Sequence, residues 1–300
     1  MPNMHLSDCL IKYMVQHDTV YHYTATVNLS QQMLHIKPRD FAWQTCEQYT
    51  AQFEPGPNEQ IERRDFFGNW QTYISMLTPH NRLRIRSTFT ACLKQRPDEH
   101  NIDQQTSWEQ ALAQLHQHLP QHSEAMPYLY FSPAIPRSTE LAEYAAPSFT
   151  PNRPLYDAVF DLNQRIFHEF TFDPQATDIS TPLHQVLANR RGVCQDFAHL
   201  MTGCLRSMGF ACRYMSGYIL TAPPPGQPRM IGADASHAWI SLYFPSQGWI
   251  DFDPTNNCLV QNQHITVGWG RDFNDVSPIH GLVLGGGKQE LSVGVTVTPL

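Results

Sequence analysis

Apolar and polar positions alternate through the first third of the chain. Over residues 21–29 every second residue is apolar and the residues between them are polar. This period of two predicts a half-buried strand, and residues 83–93 repeat it. The proline- and glycine-containing run at 54–58 between them is typical of a turn. We therefore predict an antiparallel, sandwich-like β domain and assign residues 1–96 to it.

The apolar spacing changes further along the chain. Residues 97–152 form a connection with one predicted helix, which Ser107 and Gln110 open as a capping box. From Leu155 the apolar residues recur every three or four positions, which predicts a helix, and two more follow near Leu183 and from Cys194. Alternation then predicts strands over 211–220, 238–244, 249–253 and 291–297. We assign residues 153–300 to a second unit in which helices pack on an antiparallel sheet, so the predicted fold class is α+β.

Composition narrows the choice of partners. A net charge of −7 and a pI near 6.1 argue against a nucleic-acid or anionic-membrane binder. The sequence has neither a long apolar run nor a basic leader with an apolar stretch, so we expect no membrane span and a cytoplasmic location. The oligomeric state stays open.

The seven cysteines are scattered, odd in number and never spaced as C-x-x-C. This pattern favours reduced thiols over a disulfide framework or a zinc ribbon. We predict no metal site and no cofactor.

One cysteine stands where a nucleophile would be activated. Cys194 follows Gly192-Val193 at the start of a predicted helix, whose unpaired N–H groups favour a thiolate and could hold a substrate oxyanion. The alternative is an inert core thiol, the commoner role of a buried cysteine.

A predicted hairpin supplies a base and a carboxylate. His237 begins one strand, and Asp251 and Asp253 both point to one face of the next. Alternation alone does not choose between the two aspartates.

These segments together carry a family resemblance. Gly192-Val193-Cys194-Gln195-Asp196, then Ser236-His237-Ala238-Trp239, then Asp253-Pro254-Thr255 resemble, in order and spacing, the transglutaminase-like superfamily of papain-type cysteine enzymes, in particular its bacterial branch. The strand at 21–29 and the segments 65–69, 82–90 and 270–278 also resemble these bacterial proteins. The resemblance implies a transglutaminase-like core in 153–300 and a catalytic triad of Cys194, His237 and Asp253, and leaves Asp251 as a solvated or supporting residue.

The implied chemistry is attack of Cys194 on an amide carbonyl of a protein or peptide substrate, through a thioester. An amine acceptor would give transamidation and water would give hydrolysis, and the triad serves both. A catalytically silent peptide-binding module is the alternative from another class. Gln195, Trp239 and Tyr218 are the candidate substrate-binding residues, although a tyrosine at 218 more often packs. We also expect 221–228, rich in proline, to form a mobile loop at the rim of the cleft.

Overall fold

A computed structural model describes residues 9–221 and 236–300. Within these segments the helices are α1 (Trp108–Gln117), α2 (Thr139–Ala145), α3 (Leu155–Glu169), α4 (Leu183–Asn189), α5 (Cys194–Ser207) and α6 (Phe273–Val276). The strands are β1 (Ile11–Leu34), β2 (Gln44–Glu54), β3 (Glu59–Arg64), β4 (Trp70–Met76), β5 (His80–Leu93), β6 (Thr171–Phe172), β7 (Arg191–Gly192), β8 (Cys212–Ile219), β9 (Ser236–Phe244), β10 (Gly248–Asp253), β11 (Cys258–Leu259), β12 (His264–Gly270), β13 (Ile279–Gly285) and β14 (Gln289–Pro299). None of these helices is both long enough and apolar enough to span a membrane.

The first sheet is antiparallel and is organised around β1. Strands β5 and β14 pair with the first half of β1, whereas β4 and β13 pair with its second half. The β1–β5 register shifts between His22 and Val27. Buried residues of β1 within and beyond this break, including Tyr23 and Leu34, belong to one apolar cluster with residues of β4 and β5. The sheet thus folds over itself, which confirms the sandwich-like prediction.

The C-terminal strands correct the predicted unit boundaries. We assigned residues up to 300 to the second unit, but β13 and β14 form their ladders with β1. Alternation predicts that a segment is a strand, but it carries no information about the partner to which the strand hydrogen-bonds.

The cysteines also require a correction. Cys9 and Cys92, which are 83 positions apart in sequence, form a disulfide. The expectation that all thiols are reduced is therefore wrong for this pair. Spacing along the chain could not show the pair, because the two cysteines become neighbours only when β1 and β5 align.

The second sheet has the order β11-β10-β9-β8-β12, and α5 packs on β8 and β9. Among the described residues, their contact forms the largest apolar cluster, which also includes residues of α3 and α4. The predicted capping box of α1 is present. Pro182 stands at the N-cap position of α4 and makes no side-chain cap hydrogen bond, and α2 lies in the connection, where we predicted no helix.

Two side-chain amides attach the N-terminal region to β12. Gln44 accepts from the N–H of Thr266 and donates to its carbonyl, at 2.8 and 2.7 Å. Asn69 does the same for Trp269, at 3.0 and 2.8 Å. Each amide therefore pairs with the β12 backbone much as a neighbouring strand would, and fixes the N-terminal region against the sheet that carries the candidate site.

Candidate active site

The sulfur of the predicted nucleophile stands at the first residue of α5. The preceding turn is closed by Asp196, which accepts hydrogen bonds from the N–H of Val193 at 2.8 Å and from the Thr177 hydroxyl at 2.6 Å. A Cβ at Gly192 would lie 2.6 Å from the Asp196 carboxylate, so only glycine leaves room for this bond. The Gly-Val-Cys sequence is thus explained by the geometry that presents Cys194 at the helix start.

The predicted base and carboxylate lie on neighbouring strands. His237 is near the start of β9, and Asp253 is the last residue of β10. The Nε2 atom of His237 lies 2.7 Å from Oδ2 of Asp253, and both side chains are buried. The side chain of Cys194 lies close enough to the same imidazole to raise its pKa. Since Nε2 faces Asp253, Nδ1 is the ring nitrogen left for the sulfur.

The Asp253 carboxylate accepts several hydrogen bonds besides the one from His237. Its Oδ2 also accepts from Nε2 of His264 at 2.8 Å and from the Asn256 amide at 2.7 Å. Its Oδ1 accepts from the N–H groups of Thr255 and Asn256, at 2.9 and 3.1 Å. Five donors therefore fix the carboxylate, and the turn after Asp253 supplies three of them.

These contacts set the charges of the pair. Burial alone would raise the pKa of Asp253, but the hydrogen bonds from His237 and His264 outweigh burial and hold that pKa well below its usual range. Burial likewise works to lower the pKa of His237, yet the hydrogen bond to Asp253 and the neighbouring Cys194 side chain raise it to about 10. The site therefore favours a protonated imidazole between a carboxylate and the sulfur near neutral pH.

The chain matches family models and known proteins over most of its length. Residues 142–254 match the model of the transglutaminase-like superfamily, and residues 13–91 match that of the bacterial transglutaminase-like N-terminal region. An uncharacterised protein of Mycobacterium tuberculosis is 38% identical over 96% of this chain and 93% of its own length. The chain belongs to the transglutaminase-like superfamily.

Two further proteins are similar to this chain. A protein-glutamine gamma-glutamyltransferase of Pseudomonas aeruginosa is 29% identical over 52% of this transglutaminase-like chain, but over only 21% of its own length. A solved Cytophaga hutchinsonii protein, described as a candidate cysteine protease, superposes with a TM-score of 0.77 over 97% of this chain and 91% of its own. At 18% identity this second likeness shows the fold alone.

Asp251 has a different environment from Asp253. It is buried and pairs with Arg96 at 2.5 Å. It also accepts the indole N–H of Trp239 at 3.2 Å. Because Asp251 opposes Ser241 across the hairpin and Phe252 opposes Ile240, Asp253 is the aspartate nearer the His237 end of β9. Asp251 is therefore a supporting residue, and its buried state excludes the solvated alternative.

The three predicted binding residues differ in position. Gln195 is in the first turn of α5 and partly exposed. Trp239 is fully buried, with its ring stacked 6.0 Å from that of His237, so it acts as a wall behind the imidazole. Tyr218 is buried between the two sheets, with its hydroxyl 2.7 Å from Nδ1 of His17. Neither side chain is accessible, so the prediction that Trp239 and Tyr218 bind substrate is wrong. The predicted rim loop at 221–228 lies outside the described residues, apart from Thr221.

His264 belongs to the candidate site but is not predicted by the sequence. It lies 11 positions after Asp253 and on another strand, and no local pattern links the two. His237, Asp253 and His264 also place one potential metal ligand atom each within 4.8 Å of one another. Hydrogen bonding accounts for this arrangement, because an ionised Asp253 can only accept and both imidazoles donate to it.

Proposed function

We propose that this protein is a cysteine-nucleophile enzyme that acts on amide bonds of proteins or peptides through a thioester acyl-enzyme. The observation that supports this most directly is that the three side chains lie together in the order the chemistry needs. Cys194, at a helix start, neighbours the imidazole of His237, and Nε2 of His237 bonds to the buried carboxylate of Asp253.

In the first half of the reaction the Cys194 thiolate attacks the amide carbonyl carbon and forms a C–S bond. The resulting oxyanion would be stabilised by N–H groups of the first turn of α5, which have no acceptor within the helix. The protonated His237 then gives its proton to the leaving nitrogen. The C–N bond breaks, ammonia or an amine departs, and a thioester remains.

In the second half neutral His237 takes a proton from the acceptor as the acceptor attacks the thioester. The C–S bond breaks, and the thiolate and the protonated imidazole are restored. A primary amine acceptor gives a transamidated product, whereas water gives the free acid. Both reactions use the same three residues in the same roles.

An amine-trapping experiment tests the proposal. The purified chain is incubated with benzyloxycarbonyl-glutaminyl-glycine and hydroxylamine, and hydroxamate, ammonia and free acid are quantified. Ammonia with hydroxamate indicates acyl transfer, and ammonia with free acid indicates hydrolysis. If neither forms, casein with a fluorescent amine and unlabelled casein replace the dipeptide, so that transfer and proteolysis are both scored on a protein.

If no substrate is turned over, alkylation distinguishes a protein without a reactive thiol from an enzyme that was given an unsuitable substrate. Iodoacetamide near pH 7 should label Cys194 before Cys258, because burial raises the pKa of the Cys258 thiol to about 12. Cys194→Ala should abolish both labelling and turnover, whereas Cys258→Ala, the matched control, should preserve both. A wild-type protein whose Cys194 resists alkylation would contradict the proposed nucleophile and favour the binding-module alternative.

A further inference from the structure

A cavity lies beside the turn that presents the candidate nucleophile. Its volume is about 640 Å³, within the roughly 300–1,000 Å³ found for ligand sites. Residues of the 133–136 and 178–184 segments line it, together with Asp196 and His199 of α5. Cys194 does not line it, but Asp196 follows Cys194 by two positions, less than one helical turn. The cavity is therefore placed to hold a part of the substrate near the reacting amide, rather than the amide itself.

Two carboxylates line this cavity, and the described residues give neither of them a cationic partner. Asp196 is 3% exposed, and its Oδ2 makes the hydrogen bonds that close the turn before Cys194. Its Oδ1 accepts no hydrogen bond from the described residues and is not sealed from solvent. Asp178 is exposed at the rim, where its Oδ1 accepts from Ser180 and Thr181 and its Oδ2 is left over. Among the described residues that line the cavity there is no lysine or arginine.

This lining favours an organic cation. Burial raises the pKa of Asp196, and the charge of Asp178 adds to that effect, so a cation in the cavity would offset the repulsion and an anion would increase it. His199 does not repel a cation at pH 7, because burial lowers its pKa to about 4. Among the described residues, the group of three potential metal ligands that lie together is the one around Asp253, so the cavity does not gather ligands for a metal ion.

His199 adds a hydrogen-bond donor to the two carboxylates. It is 6% exposed, and its Nε2 accepts the N–H of Phe273 at 3.0 Å, which places the ring proton on Nδ1. Nδ1 has no acceptor among the described residues and is not sealed from solvent. A buried N–H group of this kind in a cavity wall suits a carbonyl oxygen. A peptide backbone supplies such an oxygen, whereas a free alkylamine does not.

Apolar side chains such as that of Ile179 complete the walls, and they suit the methylene chain of arginine or lysine. We propose that this cavity binds a basic side chain of the peptide that carries the reacting amide, with its cationic head at Asp178 and Asp196 and a backbone carbonyl at Nδ1 of His199. This inference rests on the function proposed above and names the preferred substrate. The basic residue would stand one to three positions from the reacting amide, since an extended chain advances about 3.3–3.6 Å per residue.

Binding is measured in the Cys194→Ala protein, so that turnover does not interfere. Blocked pentapeptides carry glutamine at the centre and arginine, citrulline or glutamate at each other position in turn, and isothermal titration calorimetry gives their Kd values. In at least one position the arginine peptide should bind about 5- to 30-fold more tightly than the citrulline peptide, which has nearly the same shape without the charge. The glutamate peptide should bind most weakly, and the advantage of arginine should fall as NaCl is raised from about 50 mM to about 500 mM.

Two substitutions in the same background test the assigned carboxylates. Asp178→Asn and Asp196→Asn each remove one charge but keep an oxygen for the hydrogen bonds of the local turn, and each should lower the arginine-to-citrulline ratio about 3-fold or more. Asp173→Asn is the matched control, because Asp173 lies on the same loop between β6 and α4 and does not line the cavity. It should leave the ratio unchanged. Circular dichroism checks that each variant is folded, and the exposed Asp178 provides a test that does not disturb the buried turn.

Equal binding of the arginine and citrulline peptides at every position would overturn the proposal, as would a preference that is the same in Asp178→Asn and Asp196→Asn as in the parent protein. Tighter binding of 1,4-diaminobutane than of every arginine peptide would assign the cavity to a free amine and would also overturn it. Failure of the proposed reaction is a different result. If the wild-type protein turns over none of these peptides while the preference for arginine is present, the cavity proposal is supported and the reaction is contradicted.

Discussion

Replacing Asp253 by asparagine tests the central contact of the site. All five hydrogen bonds at this carboxylate are accepted by Asp253, three at Oδ2 and two at Oδ1. An amide NH2 in either position would face donors rather than acceptors. The variant therefore loses both the negative charge and part of the hydrogen-bond pattern that orients His237.

The structure gives the size of the effect. The rise of the His237 pKa from 6.5 to about 10 corresponds to roughly 5 kcal/mol in favour of the protonated ring. In Asp253→Asn burial becomes the dominant influence, so we expect His237 to be neutral at pH 7. A fall in kcat/KM of about 10³- to 10⁴-fold should follow, the scale known for the same substitution in a serine-protease triad.

Asp251→Asn is the matched control, with the same chemical change two residues away on the same strand. It leaves Arg96 buried without its partner, which costs about 3–5 kcal/mol of stability, but an asparagine oxygen can still accept from Trp239. Denaturant curves first identify conditions in which both variants are folded. Under those conditions kcat/KM and the rate of Cys194 alkylation are measured between pH 5 and pH 10. We expect Asp253→Asn to slow alkylation at pH 7 by at least about 10-fold and Asp251→Asn to change it by less than about 3-fold. A wild-type rate and pH profile in Asp253→Asn would refute the reasoning.

Three further outcomes are expected. His264→Ala should lower the free energy of unfolding by about 2–4 kcal/mol in denaturant titration, because a charge-assisted hydrogen bond and buried volume are lost. The rate of Cys194 alkylation should stay within about 10-fold of wild type. A fall in that rate as large as the fall in Asp253→Asn would show that His264 is indispensable to the His237–Asp253 pair. Asn69→Ala should cost about 2–5 kcal/mol by the same assay, because the backbone N–H and carbonyl of Trp269 both lose a buried partner, whereas the exposed Asn274→Ala should cost little. The pKa of His237 is raised by folding, so its contribution to stability should be fully present below pH 6.5 and should be lost as pH rises through about 10. The difference in unfolding free energy between wild type and Asp253→Asn should therefore shrink over that pH range. A difference that grows with pH would contradict the assigned charge state.

Much of the local structure follows from the sequence. The alternation at 21–29 marks part of β1, the Ser107–Gln110 pair caps α1, and apolar spacing predicts α3 and α5. Each of these is a relation between residues a few positions apart. The period of side-chain directions in a strand or helix, and the pairing of a cap with its first turn, are fixed by local backbone geometry. The family motifs similarly point to Cys194, His237 and Asp253.

Other features were decided only by tertiary structure. Alternation places Asp251 and Asp253 on one face of β10. The hairpin register decides that Asp253 lies beside His237, whereas Asp251 pairs with Arg96. The ladders of β13 and β14 with β1, and the pair of Cys9 with Cys92, also join segments distant in sequence. His264 reaches Asp253 from another strand for the same reason. Strand patterns specify which side chains are buried but not which strand will be the neighbour, because every strand edge presents the same backbone donors and acceptors.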